Sequence, residues 1–126
     1  QQIQQFANVD WSEQMSIVGV INEDETSREQ IVAMGNYYVL PEGDNVIFPP
    51  GSLAEVSILV LDQFQNRGIG KFLLDFLGQI AKSYGLRGFI AEVLIENTKT
   101  MHIIESSRFK VIRKMGDGIY EVKMTF

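Results

Sequence analysis

The feature that most constrains the fold is a strand–turn–helix–strand run through the middle of the chain. Ala54–Leu61 (AEVSILVL) alternates as a strand does, with Ala54, Val56, Ile58 and Val60 on one face and Glu55, Ser57, Leu59 and Leu61 on the other. Ile69, Phe72, Leu73, Phe76, Leu77, Ile80, Ala81 and Tyr84 then follow the i, i+3, i+4, i+7 spacing of an amphipathic helix. Lys71, Asp75, Gln79 and Lys82 fall on its other side, and Gly85 stops it as a C-terminal glycine does. Gly88–Ile95 (GFIAEVLI) is a near-continuous apolar run, the pattern of a strand buried on both faces. The strands on either side of this helix are predicted to form a parallel pair, because parallel neighbours need such a crossover. The centre of the fold is therefore a βαβ unit.

The flanks read as antiparallel additions. Gln14–Ile21 and Ile31–Leu40 are strands joined by the polar loop Asn22–Glu29. Ile3, Phe6 and Ala7 are spaced as one face of a short helix. Pro41 to Ser52 holds three Pro and two Gly and predicts a loop of unusual length. Asn97 or Thr98 can cap a helix running to about Ser107, and Phe109–Met115 and Gly118–Phe126 close as a hairpin around Gly116-Asp117-Gly118. The order β-β-β-α-β-α-β-β predicts an α/β (α+β) domain, its sheet mostly antiparallel with one parallel pair.

Composition removes several kinds of chemistry. The chain has 126 residues, which fits one domain. It has no cysteine, so disulfides, thiolate metal sites and cysteine nucleophiles are excluded. His102 is the one histidine, which excludes multi-histidine metal sites, and no metal is expected. Sixteen Asp and Glu against eleven Lys and Arg give a net charge of −5, opposite to the basic face of a nucleic-acid binder. The apolar runs fall far short of the ~20 residues of a membrane span, and Gln1–Asp10 has neither the basic start nor the apolar stretch of a signal peptide. With the missing cysteines, these features predict a cytoplasmic protein with no membrane partner. The opening Gln-Gln-Ile-Gln-Gln, without Met, predicts that the chain is excised from a longer one.

The chemistry concentrates in the turn Leu61-Asp62-Gln63-Phe64-Gln65-Asn66-Arg67-Gly68-Ile69-Gly70-Lys71, between the best strand and the best helix. The first N–H groups of a helix have no intrahelical partner, and the helix dipole places about half a positive charge there. Gly68 and Gly70 allow backbone to come close to a ligand, and successive N–H groups in such a turn can cradle a phosphate or pyrophosphate. Arg67 and Lys71 add charge at the rim. The same glycines also suit a plain tight turn. The spacing is not that of a Walker loop, and no glycine at position 73 completes a dinucleotide fingerprint.

Gln65-Asn66-Arg67-Gly68-Ile69-Gly70 matches the acetyl-coenzyme A motif [Q/R]-x-x-G-x-[G/A], and the chain here resembles the GNAT acetyltransferase superfamily. Ala54-Glu55-Val56, Phe89-Ile90-Ala91-Glu92-Val93-Leu94, Glu96-Asn97, Met101 and the segment Val9-Asp10 through Met15 are similar to the catalytic domain of bacterial protein-lysine acetyltransferases, which modify acyl-CoA synthetases. The resemblance covers nearly the whole chain. It implies acetyl-CoA as cosubstrate, bound by Gln65, Asn66, Arg67, Gly68, Ile69, Gly70 and Lys71 of the turn. It further implies backbone contacts of Ile58, Leu59 and Val60 to the pantetheine arm, and Asn97 beside that arm. A helix N-cap explains Asn97 equally, and both roles can hold.

The resemblance implies Glu55 as the general base that takes the proton of a lysine amine. Glu92 and Glu96 are rival carboxylates, and Glu92 would need a partner if it pointed inward. The family's tyrosine acid is replaced by Ile104, and the glycine before Phe109 by Arg108. Tyr37, Tyr38 and Tyr120 read as core or rim aromatics, and His102 as surface or packing. A protein lysine is the favoured acceptor, an acyl-CoA synthetase the implied partner. A small-molecule amine acetyltransferase and a non-catalytic acyl-CoA-binding regulatory module are the alternatives. A GNAT domain usually has further strand and helix material before the strand at Gln14, so residues 1–126 are expected to be a single GNAT domain lacking its amino-terminal strand and helix.

Overall fold

The computed structural model describes residues 2–6, 14–23, 28–41 and 49–126. Its elements run β1 (Gln2–Phe6), β2 (Gln14–Glu23), β3 (Arg28–Leu40), β4 (Leu53–Val60), a 3-10 turn (Asp62–Phe64), α1 (Ile69–Ser83), β5 (Gly88–Leu94), α2 (Thr98–Glu105), β6 (Lys110–Gly116) and β7 (Ile119–Thr125). The strands form one seven-stranded sheet in the order β1-β2-β3-β4-β5-β7-β6. β4 and β5 are the parallel pair that the βαβ pattern demands, and every other pair is antiparallel.

Ile3 and Phe6 do not lie on the helical turn that their spacing predicts. They belong to β1, which pairs with β2 from Gln2↔Val20 to Phe6↔Ser16. A helix this short is marginal by itself, whereas the open edge of β2 offers a ladder to any extended segment. Ala7 and Val9 to Glu13 lie outside the described residues. The first hairpin is tighter than the polar run Asn22–Glu29 predicts, for its ladder reaches Glu23↔Arg28. A register shift between Gly19 and Val20 absorbs one residue on the way. Most of the long loop after Pro41 lies outside the described residues. Its far end is held by Ser52, which donates its N–H and its hydroxyl to the Pro49 carbonyl at 3.1 and 2.6 Å.

The core lies on one face of the sheet. α1 touches β2, β3, β4 and β5 through Leu73, Leu74, Leu77 and Ala81, all essentially inaccessible. α2 sits against α1 and adds Met101 and Ile104. Right-handed crossovers from β4 to β5 and from β5 onward put both helices on the same side. This corrects the expectation that β5 is buried on both faces: Phe89 and Val93 are buried, whereas Glu92 and Leu94 are exposed, Leu94 by 54%. Its apolar run marks a strand whose second face carries Ile90, Glu92 and Leu94 into the open.

Aromatic packing fixes where the parallel pair is closed. The Phe89 ring stands 5.6 Å from Tyr37, 4.8 Å from Phe126 and 6.3 Å from Phe109, the last two edge to face. Such pairs add about 0.5–1.5 kcal/mol each beyond their burial. Burial pushes the Tyr37 hydroxyl up to about 12, with Tyr84 adding to the rise, so it stays neutral. Tyr37 is core, Tyr38 is exposed on the opposite face and Tyr120 stacks under the Arg113 guanidinium at 5.1 Å. Among the described residues, no helix is long and apolar enough to cross a membrane.

Candidate functional site

β4 and β5 pair at Leu53↔Gly88, Ala54↔Phe89 and Glu55↔Ile90. β4 then continues to Val60 and β5 to Leu94 without further pairing, so the two strands open like a V. The gap is a cleft of about 290 Å³ walled by Val56, Ser57 and Ile58 on one side and by Glu92 and Leu94 on the other, with Ile104 of α2 below. Leu61 donates its N–H to the Val32 carbonyl at 2.9 Å. Backbone groups alternate between the two edges of a strand, so Leu59 bonds toward β3 while Ile58 and Val60 turn theirs toward the gap. Of the three residues named from the resemblance, Ile58 and Val60 thus have backbone aimed into the V. The Leu59 side chain is on the open face, 66% exposed.

The turn into α1 continues this gap. Asn66 and Gly68 both have left-handed backbone, at φ 63° and 82°. Gly68 is the N-cap of α1, and no side chain caps the helix there. The N–H groups of the first turn therefore face outward without a protein partner from within the helix. Gln65 holds the turn in shape: its Nε2 donates to the Val60 carbonyl at 3.1 Å and to Asp62 Oδ1 at 3.2 Å. Its Oε1 is buried and has no partner among the described residues.

A second cleft, of about 890 Å³, runs along this turn. Ile58, Leu59, Val60, Gln65, Asn66, Gly68, Ile69, Gly70, Lys71 and Asn97 all line it, so ten of the predicted site residues come together. Arg67 does not line it; its guanidinium lies over the Phe64 ring at 5.2 Å, and Phe64 forms part of the wall. Glu55 lies elsewhere, on the opposite face of the sheet. The two glycines act differently. A Cβ on Gly68 would meet nothing within 4 Å, so that position needs the left-handed backbone alone. A Cβ on Gly70 would come 2.6 Å from Ile103 Cδ1, so that glycine lets α2 approach α1.

Asn97 is the helix cap that the sequence predicts, and it also borders the clefts. Its Oδ1 accepts the Thr100 N–H at 3.2 Å as a helix cap, and the residue lines both clefts. α2 also supplies wall residues that the motif alone does not mark: Lys99, His102, Ile103 and Ser106. Their spacing, one face of a short helix, is the signal that finds them. His102 is exposed, on the cleft wall. Ile104, at the position where the resemblance implies a tyrosine, is buried.

The open face is lined by cross-strand neighbours. Tyr38 stands opposite Glu55, Asn36 opposite Ser57 and Met34 opposite Leu59. The Ser57 hydroxyl donates to Asn36 Oδ1. A cleft of about 490 Å³ on this face is bounded by Glu55, Glu92 and Glu121 and by Lys114 and Lys123. Glu92 points outward, so the inward partner that a buried carboxylate would require is not needed. Glu96 is exposed and lines none of these clefts. Among the described residues, no group of three or more His, Cys, Asp or Glu could hold a metal ion.

A sheet split at its one parallel pair, with an uncapped helix start at the mouth of the split, defines a class of acyl-coenzyme A binding domain. The model of the acetyltransferase (GNAT) family matches residues 2–108, and the chain belongs to that family. It superposes on the GNAT domain of S. lividans PAT with a TM-score of 0.76 and 25% identity, covering 96% of this chain and 65% of that one. A cAMP-binding acyltransferase from Mycobacterium smegmatis matches with a TM-score of 0.67 and 26% identity, over 93% of this chain and 32% of that one. Arabidopsis thaliana NAA60 in complex with acetyl-CoA shares the fold at a TM-score of 0.69 and 16% identity, over 90% of this chain and 76% of that one. The chain thus spans about two-thirds or less of the length of the first two. No curated protein matches the sequence. The residues present fit acetyl-CoA: the outward N–H groups after Gly68 suit its pyrophosphate, and the gap-facing backbone of Ile58 and the unpartnered Gln65 Oε1 suit an amide-bearing arm.

Proposed function

We propose that this domain transfers the acetyl group of acetyl-CoA to the side-chain amine of a protein lysine, by direct attack in a ternary complex, with Glu55 as general base. The observation that most supports this is where Glu55 lies. It is the last residue of β4 still paired with β5, and it is on the open face. The coenzyme cleft lies along the helix side of the same gap. An amine arriving from the open face would meet the thioester at the closed end of the V, beside this carboxylate.

A lysine amine titrates near 10.4, so at pH 7 about one in 2,500 is neutral, a handicap of roughly 4.6 kcal/mol. In the proposed step the Glu55 carboxylate takes a proton from the ammonium and the freed nitrogen attacks the acetyl carbonyl carbon. The N–C bond forms, the C–S bond breaks, and the electron pair leaves on sulfur. The Ile58 N–H, turned into the gap, would donate to the carbonyl oxygen as charge builds there. The nitrogen loses its second proton as the amide forms, and a thiol titrates near 8.5, so the departing thiolate can take up that proton through water. That suits a site with Ile104 where relatives carry a tyrosine.

The lysine acceptor rests on the likeness to S. lividans PAT, a protein acetyltransferase. An acyl-CoA synthetase is the proposed partner and the cytoplasm the proposed location. The net charge of −5 suits a basic neighbourhood around the target lysine. The test is incubation with labelled acetyl-CoA and a cell lysate, alongside the Glu55→Gln variant. Label should enter protein, and the variant should keep its calorimetric affinity for the coenzyme while turnover falls about 100-fold or more. Wild-type turnover in the variant removes Glu55 from its role. Label found only in small molecules moves the acceptor to a free amine, and binding without any transfer makes the domain a coenzyme sensor.

A further inference from the structure

Glu92 holds a position that neither the coenzyme cleft nor the base assignment uses. Among the described residues it is the one carboxylate that lines both the gap between β4 and β5 and the open-face cleft. On its β7 side it stands directly opposite Glu121, whose neighbour across β6 is Lys114, while Lys123 is diagonal to it. On its β4 side it has no ladder neighbour, because pairing ends at Glu55↔Ile90. Among the described residues, no ion pair within 4.0 Å involves Glu92. Among the described residues, three carboxylates and two lysines line the cleft, and Lys123 has a further interaction besides. Like charges opposed across a sheet are unfavourable, and Lys114 and Lys123 offset this pair only from the β6 and β7 side. A cation entering from the β4 side would supply the neighbour that the splay removes.

The spacing says what kind of cation. Glu92 lies two residues beyond Ile90, about 6.6 Å further along, and one strand over from Glu55, about 4.8 Å. The two Cα atoms are therefore at least about 8 Å apart, and the splay widens that. Side chains two residues apart on an extended peptide share a face about 6.6 Å apart, and the long stems of Lys and Arg reach across the remaining few ångström. We propose that Glu92 is a specificity-determining residue, which receives a second basic side chain two residues from the lysine presented to Glu55. The acceptor is then an extended segment of the type Lys-x-Arg or Arg-x-Lys. This rests on the lysine-acceptor reading above.

The test uses three peptides that share one lysine, with Arg two residues after it, Arg two residues before it, or Ala at both places. Wild-type protein should show a KM about fivefold lower for one Arg peptide than for the Ala peptide, the size of one favourable ion pair. Glu92→Gln should erase that difference while kcat, the coenzyme KM and the melting temperature stay unchanged. Glu92→Lys should reverse it in favour of a peptide with Asp in the same place. Wild-type indifference to the Arg, or a preference that survives Glu92→Gln, overturns the proposal. A fall in kcat on all three peptides would make Glu92 part of the chemistry and also overturns it. Wild-type protein that acetylates none of the peptides yet acetylates a free amine overturns the lysine reading itself, which separates the two failures.

Discussion

On the helix-bearing face the site is made of backbone: the left-handed turn at Asn66 and Gly68, the first N–H groups of α1, and the peptide groups of Ile58 and Val60. On the open face it is made of side chains, with Glu55, Tyr38, Glu92 and Glu121 brought together by strand register. A backbone site asks little of residue identity beyond glycine where the chain turns, and it suits a cosubstrate common to many enzymes. A side-chain site can be changed one residue at a time without disturbing the sheet. In the proposed reading, one face keeps the coenzyme while the other follows the acceptor.

The sharpest way to break this division is to strain the backbone half alone. Gly68→Val puts a β-branched residue at φ 82°, a conformation that costs about 1–3 kcal/mol. The open space around the position means that the cost comes from the backbone and not from a clash. Coenzyme affinity measured by calorimetry should fall roughly 10- to 100-fold if the turn gives way to relieve the strain. The acceptor face, including Glu55, should be unaltered. A variant that still melts cooperatively and binds acetyl-CoA like the wild type would remove the turn from the coenzyme site.

The floor shared by the two faces can be probed through Tyr37. Its hydroxyl is pushed up to about 12 by burial and then by Tyr84, against about 10 in an unfolded chain. The folded pKa is above the unfolded one, so this contribution is complete below pH 10 and is lost as the pH rises toward 12. About two pH units amount to roughly 2–3 kcal/mol. Denaturant titrations at pH 8, 10 and 11 should show the wild type losing stability over that range. Tyr37→Phe should flatten the loss, whatever its effect at pH 8. An unchanged slope in the variant would assign alkaline unfolding to other groups.

The difference between the faces also explains what could be read in the chain. The turn, its two glycines and the amphipathic α1 lie within about twenty-five residues, so local spacing carries them. The βαβ unit forces the parallel pair by the same local logic. The role of Gly70 could not be read, because Ile103 meets it from another helix. Nor could the exposed side of β5, since Ile90 and Leu94 look like core until both helices are found on the same face. β1 was hidden too, because Gln2–Phe6 has no strong pattern and becomes a strand through the edge of β2. Glu55 and Glu92 look equivalent in the two Ala-Glu-Val tripeptides; the resemblance ranks Glu55 first, and the ladder that ends at Glu55↔Ile90 shows how their surroundings differ.

The smallest effect is at Asn97, which caps a helix and lines both clefts. Its Oδ1 caps α2 through the Thr100 N–H, and it stands between the two clefts. Asn97→Ala removes both the cap and the side-chain amide and should cost about 1 kcal/mol of stability as a lost cap. Asn97→Ser keeps a capping oxygen but has no side-chain amide to donate. Thermal melts should therefore show Ser restoring most of what Ala loses. Calorimetry should show both variants binding acetyl-CoA a few-fold more weakly, the loss of one exposed hydrogen bond. If Ser restores affinity together with stability, Asn97 acts on the coenzyme only by holding α2 in place. The wall that carries Lys99 and His102 would then be positioned by the cap, and the coenzyme side would depend on backbone even more fully than its turn alone implies.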